Sequence, residues 1–133
     1  MKYLLDTHAM VWAITKTSKL SPSVRVILED PNHQILVSPI SFWEISLKYS
    51  LGKLELEGVL PEDLPSACAA MDFDFQPFDA NVAGTFHYLK GNYHKDPFDR
   101  MLIWQAIYLK MPLISKDPVI GMYGSEGLVV VWD

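Results

Sequence analysis

Short, wholly apolar runs alternating with longer segments of helical period narrow the folds open to this chain more than any other feature. Tyr3-Leu4-Leu5, Ile35-Leu36-Val37, Leu113-Ile114-Ser115 and Leu128 to Trp132 read as strands, and Phe73-Asp74-Phe75-Gln76-Pro77 as a short strand limited by its proline. A strand wet on one side alternates apolar and polar residues; one covered on both sides does not. The runs therefore predict a mainly parallel sheet with helices on both faces, an α/β fold. Helical spacing marks residues 7–15, a helix opened by Ser21-Pro22, another from about Ser41 to Leu51 stopped by Gly52, and Ser66 to Met71. Residues 79–89 follow, and then Pro97 to Lys110, ended by Met111-Pro112. Residues 53–65 are turn-rich and Lys90 to Lys95 form a polar loop. No repeat or linker divides the chain, so one domain over 1–133 is expected.

Composition bounds the rest. Half of the 133 residues are apolar and 12% aromatic, enough for a packed core and incompatible with global disorder. No run approaches the roughly 18–20 apolar residues of a membrane span. Asp6 cuts the N-terminal apolar run too early for a signal peptide. One cysteine, Cys68, excludes an internal disulfide and a Cys-rich zinc site, and fits a reducing compartment. A soluble cytoplasmic protein, without membrane, is the expectation. The balance of 11 basic against 16 acidic residues, net −5, speaks against gripping nucleic acid by bulk charge.

Where the acidic residues fall is more informative. Asp6 lies just past the first strand and Asp117 just past Leu113-Ile114-Ser115. Glu44 is placed in the first turn of the helix after the second strand, and Asp96 and Asp99 start the helix leading to Asp117. All five share the carboxyl-end rim of the sheet, where such folds bind ligands. Taken singly, each also reads as a helix cap: Asp6 before Thr7, Glu44 in a capping box with Ser41, Asp96-Pro97-Phe98-Asp99 in similar form, and Asp117-Pro118 as a turn or helix start. Yet Asp99 shares a helix face with Leu102, Ile103 and Ala106, and Glu44 one with Leu47 and Leu51, the faces expected to be buried. Buried carboxylates need a cation or donors. Oxygen donors supplemented by water suit Mg²⁺ or Mn²⁺, and such an ion on an α/β rim serves phosphate-ester hydrolysis.

At these residues the chain resembles the PIN-domain nucleases, specifically the VapC-type toxins of bacterial type II toxin–antitoxin pairs. The likeness runs through Leu4-Leu5-Asp6-Thr7-His8, then Val37-Ser38-Pro39-Ile40-Ser41-Phe42-Trp43-Glu44-Ile45-Ser46-Leu47-Lys48, then Gly52-Lys53-Leu54. It continues in His94-Lys95-Asp96-Pro97-Phe98-Asp99-Arg100 and Leu113-Ile114-Ser115-Lys116-Asp117. The resemblance implies a five-stranded parallel sheet and an Mg²⁺/Mn²⁺-dependent endoribonuclease. It also implies a homodimer, and an antitoxin whose tail enters the groove.

The family's acidic positions fall on Asp6, Glu44, Asp99 and Asp117, as metal ligands and catalytic groups. Asp96 is then a supporting ligand or a cap. Thr7 and Ser115 are placed to hydrogen-bond the carboxylates or to cap helices. Arg100, Lys48, Lys116 and His94 are candidate RNA contacts, each with an ordinary reading as a solvated or core-edge side chain, and His8 is similar. The aromatics Trp12, Phe42, Trp43, Phe98 and Trp104 read as core or interface packing. Two rivals remain: a PIN-like domain that binds RNA without cutting it, and a receiver-type regulatory domain, which needs an acidic pair where Asp6 stands alone. The five rim carboxylates account for the whole net charge; without them, 11 basic residues face an equal number of acidic ones.

Overall fold

The computed structural model describes residues 1–133. Its strands are β1 (Lys2–Leu5), β2 (Gln34–Val37), β3 (Asp74–Phe75), β4 (Leu113–Ile114) and β5 (Val130–Val131). Its helices are α1 (Thr7–Thr15), α2 (Pro22–Glu29), α3 (Pro39–Ser50), α4 (Leu64–Ala70), α5 (Ala80–Gly84), α6 (Pro97–Leu109) and α7 (Pro118–Gly121), with short 3-10 turns between them. The strands form one sheet in the order β3-β2-β1-β4-β5, every pair parallel.

The apolar runs are explained by the two faces of that sheet. Leu4 pairs with Leu36 and Leu113, and all three point into a core shared with Ile103, Tyr123 and Leu128. Their neighbours Tyr3, Leu5, Ile35, Val37 and Ile114 point the other way, into a core with Ala9, Met10, Val24 and Ile45. The inner strands β1, β2 and β4 are thus apolar at successive positions because both faces are covered, whereas both residues of the edge strand β3 are exposed. Cys68 is fully buried in the second core, and burial pushes its thiol up to about 11, so it is unreactive packing. No helix is long and apolar enough to cross a membrane.

α3 departs from expectation. It opens at Pro39 with Ser38 as its cap, the Ser38 hydroxyl accepting from the Ile40 amide at 3.2 Å. Proline fixed at the first helical position and serine before it outcompete the Ser41 start, so the Ser41…Glu44 capping box does not form. The helix then buries Ile40, Ser41, Glu44 and Ile45, whereas Leu47 and Leu51 are 40% and 58% exposed. Glu44 is buried, but the helix then runs past the edge of the core, so the leucines three and seven residues on are exposed. The helix stops as expected at Gly52, whose φ of +69° is the left-handed conformation glycine adopts without strain. A second difference lies after Asp117, where α7 and a 3-10 turn over Met122–Glu126 fill a stretch expected only as a turn or helix start.

The chain builds outward from β1 to β2 and β3, then returns to the other side of β1 for β4 and β5. The carboxyl ends of β1 and β4 therefore meet at the switch point, and the Asp6 amide donates to the Ile114 carbonyl at 3.0 Å. A ligand crevice opens at such a point.

Candidate active site

Asp6 leaves β1 and caps α1, its Oδ1 accepting from the Ala9 amide at 2.8 Å with only 3% of the residue exposed. Burial raises its pKa, against the opposing pull of the Ser115 hydroxyl and the Ala9 amide. Asp117 leaves β4 and caps α7 in the same way, Oδ1 accepting from the Val119 amide at 2.8 Å. Ser115 stands between the two strand ends: its hydroxyl is near enough to Asp6 to lower that carboxyl's pKa, and it accepts from the Asp117 amide at 3.1 Å. Capping and site-building are thus the same geometry, because a cap oxygen sits at the positive end of a helix beside the crevice.

The start of α6 divides its work between two carboxylates. Asp96 is the cap, Oδ1 accepting from the Phe98 and Asp99 amides at 2.8 and 3.3 Å, while Oδ2 accepts from Lys48 at 2.9 Å. Its partial burial would raise its pKa, but Lys48 and the Asp99 and Phe98 amides together hold it below the usual carboxylate range. Asp99 has no lysine or arginine partner. Burial, then the charges of Glu44 and Asp96, push its pKa up to about 7, with His94 opposing. Glu44 reaches the cluster from α3, accepting from the Thr7 hydroxyl at 2.7 Å and from Lys48. The Ser41 hydroxyl lies 3.0 Å from the same Thr7 oxygen. Burial works against the charge on Lys48, but Glu44 and Asp96 outweigh it and raise the lysine's pKa.

His94 takes a role that sequence reasoning missed. Its Nδ1 accepts the Asp96 amide at 3.2 Å, which leaves the proton on Nε2. Nε2 faces Asp117 Oδ2 at 2.8 Å and Asp99 Oδ2 at 3.2 Å, bridging the starts of α6 and α7. The His94 amide donates to the hydroxyl of the fully buried Tyr123 at 3.1 Å, which fixes the loop. Short spacing to Asp96 is the only trace of this in the sequence; the Asp117 contact depends on the sheet order.

The remaining candidates separate cleanly. Arg100 donates to the Gly91 carbonyl at 3.0 Å and lies over the Phe86 ring, so it braces the 90–95 loop. Phe98 is buried against the exposed Trp43, with ring centroids 5.4 Å apart. Trp104 is buried and donates to the Val82 carbonyl, and Phe42 packs edge-on against Phe75. Lys116 is exposed and lines an open pocket of about 350 Å³ with Asp6, His8, Trp12, Asp117 and Pro118.

The cluster fits a hard divalent cation. A ring nitrogen of His94 and one carboxylate oxygen each of Asp99 and Asp117 lie within 4.8 Å of one another, with Asp6 beside them at the switch point; the carboxylates are the oxygen donors and His94 orients them. Asp99, whose carboxyl burial first and negative neighbours second hold up to about 7, is the group such a cation would relieve.

These features define a class of protein: a parallel α/β fold whose switch-point crevice gathers carboxylates from four elements. The PIN domain family model matches residues 3–122, and the chain belongs to that family. Its fold is also that of VapBC2 from Rickettsia felis bound to a DNA fragment from their promoter, at 20% identity and a TM-score of 0.69, with both chains fully covered. FitAB bound to an IR36 DNA fragment matches at 22% identity and a TM-score of 0.60, over 97% of this chain and 93% of that one. A domain of a functionally unknown protein from Methanocaldococcus jannaschii matches at 14% identity and a TM-score of 0.61, over 99% and 90%. No curated protein matches the sequence. The β3-β2-β1-β4-β5 order also departs from the 2-1-3-4-5 order of the receiver fold, which removes that rival.

Proposed function

We propose that this PIN domain is a metal-dependent endoribonuclease, the VapC-type toxin of a type II toxin–antitoxin pair, acting in the cytoplasm on RNA phosphodiester bonds. The observation that carries the reading is the convergence of Asp6, Glu44, Asp99 and Asp117 on one crevice, with more carboxylates than Lys48 can offset. The structural likeness to VapBC2 and FitAB supports the toxin assignment and a cognate antitoxin; a homodimer belongs to the same reading.

Asp6, Asp99 and Asp117 would hold Mg²⁺ or Mn²⁺, with Glu44 completing the shell directly or through water. A bound ion of this kind polarises the phosphate and lowers the pKa of water. The chain's own residues supply the rest. Thr7 and Lys48 fix the Glu44 carboxylate in place, so that it orients the attacking water and takes its proton. Ser115 keeps Asp6 aligned with Asp117, and His94 holds Asp117 at a set distance from Asp99. Asp96 keeps Lys48 near the cluster without drawing Asp99 into the helix cap.

Asp6→Asn keeps the shape and the Ala9 cap while removing one charge. Its purified protein should lose Mg²⁺-dependent cleavage of single-stranded RNA while remaining folded by circular dichroism. Retained cleavage, in a preparation free of host nucleases, would overturn the assignment. An RNA-binding domain that does not cut would instead show no difference between wild type and variant.

A further inference from the structure

We propose that the pocket walled by Trp12, His8 and Lys116 is a base-stacking subsite, which holds the nucleotide next to the scissile phosphate of single-stranded RNA. The inference rests on the nuclease reading and adds where the substrate lies. The pocket shares Asp6 and Asp117 with the acidic crevice, so its occupant is adjacent to the reacting phosphate. At about 350 Å³ it is within the roughly 300–1,000 Å³ of small-ligand clefts, yet it is open on one side, as a chain passing through requires.

Its walls have the chemistry of single-strand recognition. Trp12 is half-buried, held from behind by Trp132 at 6.0 Å and flanked by the exposed His8 ring at 5.7 Å. Packing alone would account for the buried edge of the indole, but not for the ring closing the wall of a pocket beside the carboxylates. Two lysines reach over that ring, Lys19 Nζ at 5.5 Å and Lys116 Nζ at 6.0 Å from its centroid, each on a flexible stem that an entering base can displace. Both are exposed and neither is paired with a carboxylate, in contrast to Lys48. An aromatic platform with free cations at its rim is how proteins hold unpaired bases: the ring stacks any base, and the cations meet the flanking phosphates. A paired base has no free face to offer, so the pocket selects single strands. In a chain of net −5, this is a place where positive charge stands unpaired beside the crevice.

The test uses a short single-stranded RNA carrying 2-aminopurine, titrated with the full chain in EDTA so that the strand stays intact. Wild type should bind and quench the 2-aminopurine by stacking. Trp12→Ala should weaken binding about 5- to 100-fold and abolish the quench, and Trp12→Phe should restore part of both. The surface double variant Lys19→Gln/Lys116→Gln leaves the indole in place. It should flatten the dependence of log Kd on log salt by about 0.7 for each phosphate no longer neutralised. Mn²⁺ affinity should not change in any of these. If wild type binds the RNA but Trp12→Ala and the double variant bind it equally well, the subsite is wrong while the nuclease reading stands, and an anchor for a partner protein is the better reading. If wild type neither binds nor quenches the RNA in EDTA, the subsite is wrong, while the nuclease reading, which needs the ion, is judged by Mg²⁺-dependent cleavage alone.

Discussion

Asp99 and His94 decide how the site behaves before any ion arrives. Asp99 ordinarily titrates at 3.8, and in the folded chain its pKa is raised to about 7. Between those values the folded protein holds a proton that the unfolded chain has released, so the stability Asp99 contributes is fully present below 3.8 and is lost as pH rises through 7. The metal-free protein should therefore melt roughly 5 °C lower at pH 8 than at pH 5.5, and Asp99→Asn should remove most of that difference in a thermal scan. His94 bridges Asp99 and Asp117 through one N–H. Loss of such an orienting partner typically weakens metal affinity about 10- to 100-fold, which calorimetric titration of Mn²⁺ into His94→Ala should read. His94→Gln, still a donor, should recover part of it. At this scale the sequence announces the carboxylates but not how they divide the work. Asp96, set before Pro97, is legible as the cap, but only the reach of Lys48 from α3 pairs it with a cation and leaves Asp99 without one.

Among the elements, α3 shows what a local pattern can and cannot say. Ser41 and Glu44 have capping-box spacing, but Ser38-Pro39 just upstream supplies a cap and a preset φ, and takes the start. The slip of a turn leaves Glu44 inside the helix, where it lies against Thr7 of α1 and Lys48 rather than against its own amide. Leu47 and Leu51 are exposed because the helix outruns the core beyond Ile45. Local spacing could not reveal this, because how far burial extends along the helix is set by packing against α1 and α6. Two substitutions check the placement. Ser38→Ala should cost about 1 kcal/mol in urea unfolding, whereas Ser41→Ala should not show the loss of a cap. Thr7→Val leaves a buried carboxylate one donor short and should cost about 1–3 kcal/mol. By contrast α6 was fully legible, since Asp96-Pro97 opens it and Leu102, Ile103 and Ala106 are buried as their spacing requires.

For the whole molecule, the parallel α/β class follows from apolar runs that need cover on two faces, and those runs are where the strands lie. Strand order does not follow from such runs, yet the order is what brings Asp6 beside Asp117. The net charge of −5 likewise says little as an average, and a good deal once five carboxylates are found along one rim. Divalent ions should stabilise the fold because they bind only where that rim is assembled. Millimolar Mg²⁺ should raise the thermal midpoint by a few degrees at pH 8 and by less at pH 5.5, where protons compete for Asp99. The central claim, that the rim is a metal-dependent site for cutting RNA, has one direct measurement: the time course of a labelled single-stranded RNA with Mg²⁺ or Mn²⁺, with EDTA added midway. Cleavage that begins with the ion and stops at the EDTA addition is the expected result. Cleavage that continues through EDTA, or an RNA left intact under every ion by folded protein free of any inhibitor, would contradict the account.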